Sequence, residues 1–162
     1  MLDARVDHVA IAVRSIAAAK PFYVDALGAS FLFAGDNRGQ GFRWAQFRFP
    51  NGGKIELVTP IDPDGFVQRF LDKRGEGVHH VTLKVPDIFK AIDHMRASGV
   101  DLFNVSTDHP NWKEAFVHPR DAHGVLIQLA QSALDDDEAA EHHLSDHRGA
   151  DHQHLRLADL LG

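Results

Sequence analysis

The chain has 162 residues, of which 44% are hydrophobic, and its formal net charge is −6. This length and composition suit one globular domain, or two small modules that share a core. The negative charge and the lack of a basic stripe exclude a typical nucleic-acid-binding surface. The absence of cysteine excludes disulfides, thiolate metal ligands and a cysteine nucleophile.

The start of the sequence lacks the basic segment and apolar run of a signal peptide. No apolar run approaches the roughly 20 residues that span a bilayer. We therefore expect a cytoplasmic protein that acts on neither a membrane nor a nucleic acid.

The first predicted module covers residues 5–60. A strand is predicted over Val6–Val13, followed by a helix over Ile16–Leu27 with Ser15 as its N-cap. Pro21 lies inside that helix and conflicts with it. The module is completed by three predicted strands, Ser30–Ala34, Phe42–Phe49 and Lys54–Thr59.

A connector over residues 61–76 is predicted to hold a short helix, which Asp64 caps and Gly75 ends. The second module covers residues 77–131, with a strand over Val78–Val85 and a helix over Ile88–Ala97. Its remaining predicted strands are Asp101–Asn104, Glu114–Val117 and Val125–Ala130. The predicted element order is therefore βαβββ in both modules, and together they are expected to form a single α+β domain over residues 1–131.

The tail over residues 132–162 differs in composition from the rest of the chain. It opens with a run of acidic residues and carries five of the twelve histidines. Such a polar segment is typically solvated, so we expect a mobile tail.

Two stretches of the chain repeat one another at a fixed offset. His8 and His80 are 72 residues apart, and so are Glu56 and Gln128. Strand residues alternate between the two faces of a sheet, and all four of these residues fall opposite the bulky apolar positions of their strands. We therefore expect the four side chains on one concave surface, away from the helices. Two imidazoles, a carboxylate and an amide oxygen suit a divalent metal ion.

At these residues the chain resembles the vicinal-oxygen-chelate superfamily, which includes glyoxalase I, extradiol dioxygenases and methylmalonyl-CoA epimerases. The resemblance covers about Arg5 to Gln131, and within the superfamily it is closest to the epimerases. It is carried by Asp7–Val13, Lys54–Pro60, Phe70–Val81, Ala115–Arg120 and Gly124–Leu129.

The resemblance implies two tandem βαβββ modules that form a cupped mixed sheet with the helices outside. It places His8, Glu56, His80 and Gln128 at the ligand positions of one divalent ion, which could be Co, Mn, Ni, Zn or Fe. It further implies a homodimer and a small substrate with vicinal oxygens, an acyl-CoA thioester among them.

The implied reaction is removal of a proton next to a metal-chelated carbonyl, as in an epimerase or isomerase. Two positions differ from the epimerase pattern: Gln128 stands where the epimerases have Glu, and Trp44 stands at the position of their catalytic Glu. Because tryptophan cannot accept a proton, Glu56 is predicted to serve as both ligand and base.

Three alternatives remain open from the sequence. A glyoxalase I-type lyase would use the same ligands. Two histidines and one carboxylate also match an iron(II) dioxygenase of the extradiol type. The third alternative is a binding protein of this fold without catalysis. The predicted substrate-binding residues are Trp44, Phe42, Arg43, Lys84 and His118.

Overall fold

The computed structural model of the chain describes residues 1–145 and 152–161. The first half contains β1 (Arg5–Ala12), α1 (Ile16–Lys20), a π-helix (Pro21–Ala26), β2 (Ser30–Asn37), β3 (Phe42–Arg48), β4 (Lys54–Pro60) and α2 (Phe66–Arg74). The second half contains β5 (Gly77–Lys84), α3 (Ile88–Ala97), β6 (Leu102–Ser106), β7 (Trp112–Val117), a 3-10 helix (Pro119–Asp121) and β8 (Leu126–Ser132). The predicted α+β class and both βαβββ modules are confirmed.

The chain divides into two compact units. The first unit comprises Met1–Val9 and His79–Asp135, and the second comprises Ala10–Val78 and Asp136–Gly162. The strand order is β6-β7-β8-β5-β1 in the first unit. Strand β5 runs parallel to β8, whereas β7 is antiparallel to both β6 and β8, so the sheet is mixed as predicted.

The core of the first unit lies between α3 and the strands. Asp87 begins α3 as predicted, since its carboxylate accepts hydrogen bonds from the backbone amides of Phe89 and Lys90. The apolar stripe of α3 then packs against β7 and β8. The buried cluster consists of Val85, Ile88, Ala91, Ile92, Ala115 and Leu129. This packing leaves the opposite sheet face for the polar residues of β5 and β8.

In the second unit the strand order is β1-β4-β3-β2. Strands β2, β3 and β4 are antiparallel neighbours, with Gln46 of β3 directly opposite Glu56 of β4. Two buried apolar clusters pack on this part of the sheet. One contains Phe47 and Leu57, and the other contains Val67 and Leu71 of α2.

Pro21 divides the predicted helix Ile16–Leu27 into two kinds of helix. The α-helix ends at Lys20, and Pro21–Ala26 is a π-helix. The amide of Leu27 bonds to the carbonyl of Phe22, five residues earlier. This bond between residues five apart is the wider turn of a π-helix, and it follows directly after the proline, which has no amide proton to donate.

The connector helix begins one residue later than predicted. Gly65, rather than Asp64, is the N-cap of α2, and no side chain bonds to its first turn. The carbonyl of Asp64 instead accepts a hydrogen bond from the Arg69 side chain. The predicted end at Gly75 is confirmed, and its positive φ of 74° is the left-handed conformation that glycine favours.

The described part of the tail forms α4 (Asp136–Ser145), β9 (His152–Leu155) and α5 (Leu157–Leu161). Strand β9 extends the second unit's sheet along the edge of β2. Lys54 Nζ lies 2.6 Å from Asp136 Oδ1 at the start of α4. The mobility of this segment stays a prediction, and residues 146–151 lie outside the described part.

None of the helices in residues 1–145 and 152–161 has the length and apolar character that a membrane span requires.

Candidate metal centre

His8 of β1 has both ring nitrogens engaged inside the first unit. The residue is 2% exposed. Its Nδ1 lies 2.8 Å from Asp7 Oδ2, and its Nε2 lies 3.0 Å from the hydroxyl of Thr82 on β5. Because a carboxylate can only accept, Asp7 fixes the proton of the neutral ring on Nδ1. The unprotonated Nε2 is then the atom that could bind a metal.

His80 has a comparable arrangement. Its Nδ1 lies 2.9 Å from Nδ1 of His79, the residue that precedes it just as Asp7 precedes His8. The rings of His8 and His80 have centroids 6.0 Å apart. Burial lowers the pKa of His80 well below its ordinary value and lowers the pKa of His79 to about 4. Both rings are therefore neutral near pH 7, which is the form that binds metals.

Gln128 of β8 lies directly opposite Thr82, and its amide is held from both ends. The Thr82 hydroxyl donates to Oε1 over 2.6 Å. The amide nitrogen donates to Glu114 Oε2 over 2.7 Å. Since a carboxylate cannot donate when ionised, Glu114 requires the nitrogen end of the amide, and the oxygen end must point to Thr82. Thr82 thus contacts the ligand atoms of both His8 and Gln128.

Glu56 is buried on β4 of the second unit. The amide nitrogen of Gln46, directly opposite on β3, donates to Glu56 Oε2 over 3.0 Å. The other end of that amide, Gln46 Oε1, is the one buried side-chain atom without a hydrogen-bond partner among the described residues. A buried acceptor without a partner is costly, and a bound group that donates a hydrogen bond would satisfy it.

The buried residues His8, Glu56 and His80 form a group suited to a metal ion, with one ligand atom of each within 4.8 Å of the others. Two imidazoles and one carboxylate match the ligands that zinc, iron, cobalt and manganese accept. Gln128 Oε1 adds a neutral oxygen, held beside His8 by Thr82. The donor set therefore fits a divalent cation.

The sequence matches a family model over residues 7–116, and the model describes the glyoxalase/bleomycin resistance protein/dioxygenase superfamily. The chain belongs to this superfamily. The resemblance and the α+β fold predicted from the sequence are thereby confirmed.

Several members of this superfamily match most of the chain. The ethylmalonyl-CoA/methylmalonyl-CoA epimerase of Cereibacter sphaeroides is 33% identical over 131 residues, covering 78% of this chain and 97% of that protein. A crystal structure of methylmalonyl-CoA epimerase from Mycobacterium tuberculosis is 35% identical, with a TM-score of 0.73, and covers 80% of this chain and 88% of its own.

A further solved structure contains a ligand. It is a variant of the Streptomyces coelicolor methylmalonyl-CoA epimerase in complex with 2-nitronate-propionyl-CoA. Its identity is 30% and its TM-score 0.72, and it covers 83% of this chain and 100% of its own. These relatives place the chain among the epimerase-like enzymes of the superfamily.

Two of the five predicted substrate-binding residues, Trp44 and Phe42, lie on the same face of the sheet as Glu56. Directly paired residues in antiparallel strands point to the same side, and Trp44 pairs with Val58, two residues from Glu56. Phe42 pairs with Pro60. The Trp44 ring packs edge-on against Phe33, and the Phe42 ring packs against Phe66. An aromatic surface therefore extends along the face of Glu56.

The other three predicted substrate-binding residues have different settings. Arg43 lies on the opposite face from Trp44 and forms a two-point ion pair with Asp36, which raises the Arg43 pKa. Its role in substrate binding stays a prediction. Lys84 shares the face of Thr82, with its Nζ 3.3 Å from Asp7 Oδ1. His118 is exposed and caps the 3-10 helix by accepting from the amide of Arg120.

Sequence reasoning missed four residues that support the ligands: Asp7, Gln46, Thr82 and Glu114. A signal existed for three of them. Thr82 and Gln46 alternate onto the ligand faces of their strands, and Asp7 adjoins His8. Glu114 was seen only as the start of a strand, because its pairing with β8 depends on a register that the sequence does not state.

Proposed function

We propose that the chain is a divalent-metal-dependent enzyme that removes a proton next to the carbonyl of an acyl-CoA thioester, in the manner of a methylmalonyl-CoA epimerase. The observation that carries this proposal is the buried group of His8, Glu56 and His80. The curated and solved epimerases that match most of the chain support the choice of substrate class.

His8, His80, Glu56 and Gln128 would hold the cation. When bound, the cation supplies a Lewis acid that stabilises the negative charge of an enolate oxygen. Asp7 and His79 keep the two imidazoles in fixed orientations through their Nδ1 atoms. Glu114 and Thr82 keep the amide oxygen of Gln128 turned toward His8. These contacts prepare the ligands in advance, which reduces the reorganisation needed on binding.

Glu56 is the proposed base. It is the one carboxylate among the four ligands, and Gln46 holds its Oε2 through an amide hydrogen bond. Its Oε1 could accept the α-proton of a substrate placed on the aromatic surface of Trp44 and Phe42. Lys84 and His118 are proposed to meet the polar parts of the substrate, and we propose a homodimer as the working assembly.

An iron(II) dioxygenase is the second candidate, because two histidines and one carboxylate also meet its ligand requirement. The two candidates differ in what they consume. The epimerase needs no oxygen and exchanges the substrate's α-proton with solvent, whereas the dioxygenase consumes oxygen with a catechol.

The test combines metal analysis of the purified protein with a proton-exchange assay in deuterated water. Two substrates are tested in parallel: methylmalonyl-CoA, and the hemithioacetal of methylglyoxal and glutathione. Each is supplied to a Co²⁺-loaded and to a chelator-treated sample of the protein. We expect metal-dependent deuterium incorporation into methylmalonyl-CoA. Turnover of the hemithioacetal alone would indicate a glyoxalase-type lyase, and exchange with neither substrate would contradict the proposal.

A further inference from the structure

The second unit contains a cavity of about 300 Å³. Its described lining residues come from the end of β1, from α1, from the π-helix and from the start of β5. All of them belong to the second unit, and none of the four proposed metal ligands is among them. The volume is at the lower end of the range of sites that bind small molecules.

The wall of this cavity is mostly apolar and consists of small side chains. Val13 is the buried member of the lining, and Ile11, Ala18 and Ala19 complete the apolar part. Gly77 contributes no side chain, and a Cβ added there would have no atom within 4 Å. The cavity is therefore open because three of its lining residues are alanine or glycine.

Glu76 is the one charged residue in the described lining, and it is exposed at the mouth of the cavity. Its Oε1 accepts a hydrogen bond from the backbone amide of Arg14 over 2.7 Å, which anchors the carboxylate. Within residues 1–145 and 152–161, no group donates to Oε2. The cavity thus presents one anchored carboxylate with an oxygen available to a ligand.

Tyr23 is the second polar residue of the cavity. Burial raises the pKa of Tyr23, and the negative charge of Glu76 raises it further, so the phenol is neutral near pH 7. Its hydroxyl has no hydrogen-bond partner in the part of the chain that the structure describes, and it can therefore accept a bond from a ligand. Tyr23 belongs to the π-helix, and turns of this kind occur frequently at functional sites.

We propose that this cavity binds a small molecule that carries a protonated amine on a short aliphatic body. The ammonium group donates hydrogen bonds to Glu76 Oε2 and to the Tyr23 hydroxyl, and the aliphatic body lies against Ile11 and Ala19. A carboxylate bonds more strongly to a charged donor than to a neutral one, and the tyrosine ring also attracts a cation. An anion is excluded because the described lining contains a negative charge and no positive one.

The test uses n-butylamine, which is protonated near pH 7, and n-butanol as the neutral probe of similar size. Each probe is titrated into the full-length, isotope-labelled protein in the presence of a chelator, because an amine could otherwise bind to a metal ion. The backbone amide signals of Ala18, Ala19 and Gly77 report binding in the cavity. The concentration dependence of their NMR shifts gives the dissociation constant.

We expect saturable shifts at these amides with n-butylamine and binding of n-butanol that is about tenfold weaker. Glu76→Gln should weaken the binding of the amine about tenfold, and Tyr23→Phe should weaken it less, because the tyrosine hydroxyl is uncharged. Gly77→Val should abolish the shift of Ala19, because the added side chain enters open space and the glycine has no positive φ. Glu141→Gln, an exposed carboxylate-to-amide change in α4 of the same unit, should leave the affinity unchanged.

Four results would overturn the inference. Equal affinity for n-butanol and n-butylamine would show that the cavity does not select a cation. Unchanged affinity in a folded Glu76→Gln protein would show that this carboxylate does not hold the amine. Shifts confined to amides outside the cavity would place the binding elsewhere, and the lack of any saturable shift would show that no amine binds. None of these results bears on the proposed epimerase activity, which is measured separately.

Discussion

The hydroxyl of Thr82 donates to Gln128 Oε1 over 2.6 Å and lies 3.0 Å from His8 Nε2, so one fully buried side chain contacts two proposed metal ligands. Both contacted atoms are those that would face a cation. Thr82 therefore keeps the ligand atoms of two different strands together in the protein without metal.

Replacing Thr82 with valine, which has the same shape, should destabilise the metal-free protein. The change removes the hydrogen bond to Gln128 and the polar contact with His8, and the loss of a buried hydrogen bond costs about 1–3 kcal/mol. Urea unfolding with a chelator present measures the effect. Thr82→Ser keeps the hydroxyl and is the matched control. A Thr82→Val protein as stable as the unaltered one would show that these contacts contribute nothing.

Removing the carboxylate of Glu56 should stop proton abstraction without emptying the site. Glu56→Gln keeps an oxygen ligand and the size of the side chain, so we expect some metal to remain while turnover falls by about 10²–10⁴-fold. Metal analysis and the exchange assay, run on the same preparation, separate the two effects. Asp72→Asn, an exposed change on α2, is the control, and retained turnover in Glu56→Gln would exclude this base.

Added metal should stabilise the folded protein. A ligand present at about 100 times its dissociation constant, and binding only the folded chain, contributes about 2.7 kcal/mol. The melting temperature should therefore rise with Co²⁺ or Mn²⁺ and fall with a chelator. His8→Ala should abolish the rise, because it removes one of the two imidazoles. If the metal raises the melting temperature of His8→Ala by the same amount, then the metal binds at another place, such as the histidine-rich tail.

Leu57 connects the site to the core of the second unit, since it follows Glu56 on β4 and points to the other face. It is fully buried. Leu57→Ala should lower the free energy of unfolding by about 2–5 kcal/mol, through lost burial and the cavity left behind. Val105→Ala, at an exposed position, should change it little. Urea midpoints of the two variants measure the difference.

The fold and the strand faces of the candidate ligands could be predicted because they follow from short-range patterns and from duplication. The alternation of apolar and polar residues predicted the face on which each side chain of β1, β4, β5 and β8 lies. The 72-residue offset identified His8 and His80 as equivalent positions, and likewise Glu56 and Gln128. Asp87 and Gly75 marked helix ends through local hydrogen bonding and backbone conformation, which depend on a few neighbouring residues.

The supporting contacts could not be predicted because they depend on register between strands. The pairing of Glu114 with Ala130, and of Gln46 with Glu56, is set by which residues meet across the sheet. The ion pair of Arg43 could not be predicted for a related reason. Arg43 alternates away from Trp44, and its pairing with Asp36 on β2 commits it to an ion pair that the sequence alone does not reveal.

Metal-dependent epimerase activity can be measured by supplying a single epimer of methylmalonyl-CoA to the Co²⁺-loaded protein in deuterated water. We expect the other epimer to form, with deuterium at its α-carbon, and a chelator to stop the reaction. Neither exchange nor inversion, in a protein shown to contain its metal, would contradict the proposed activity.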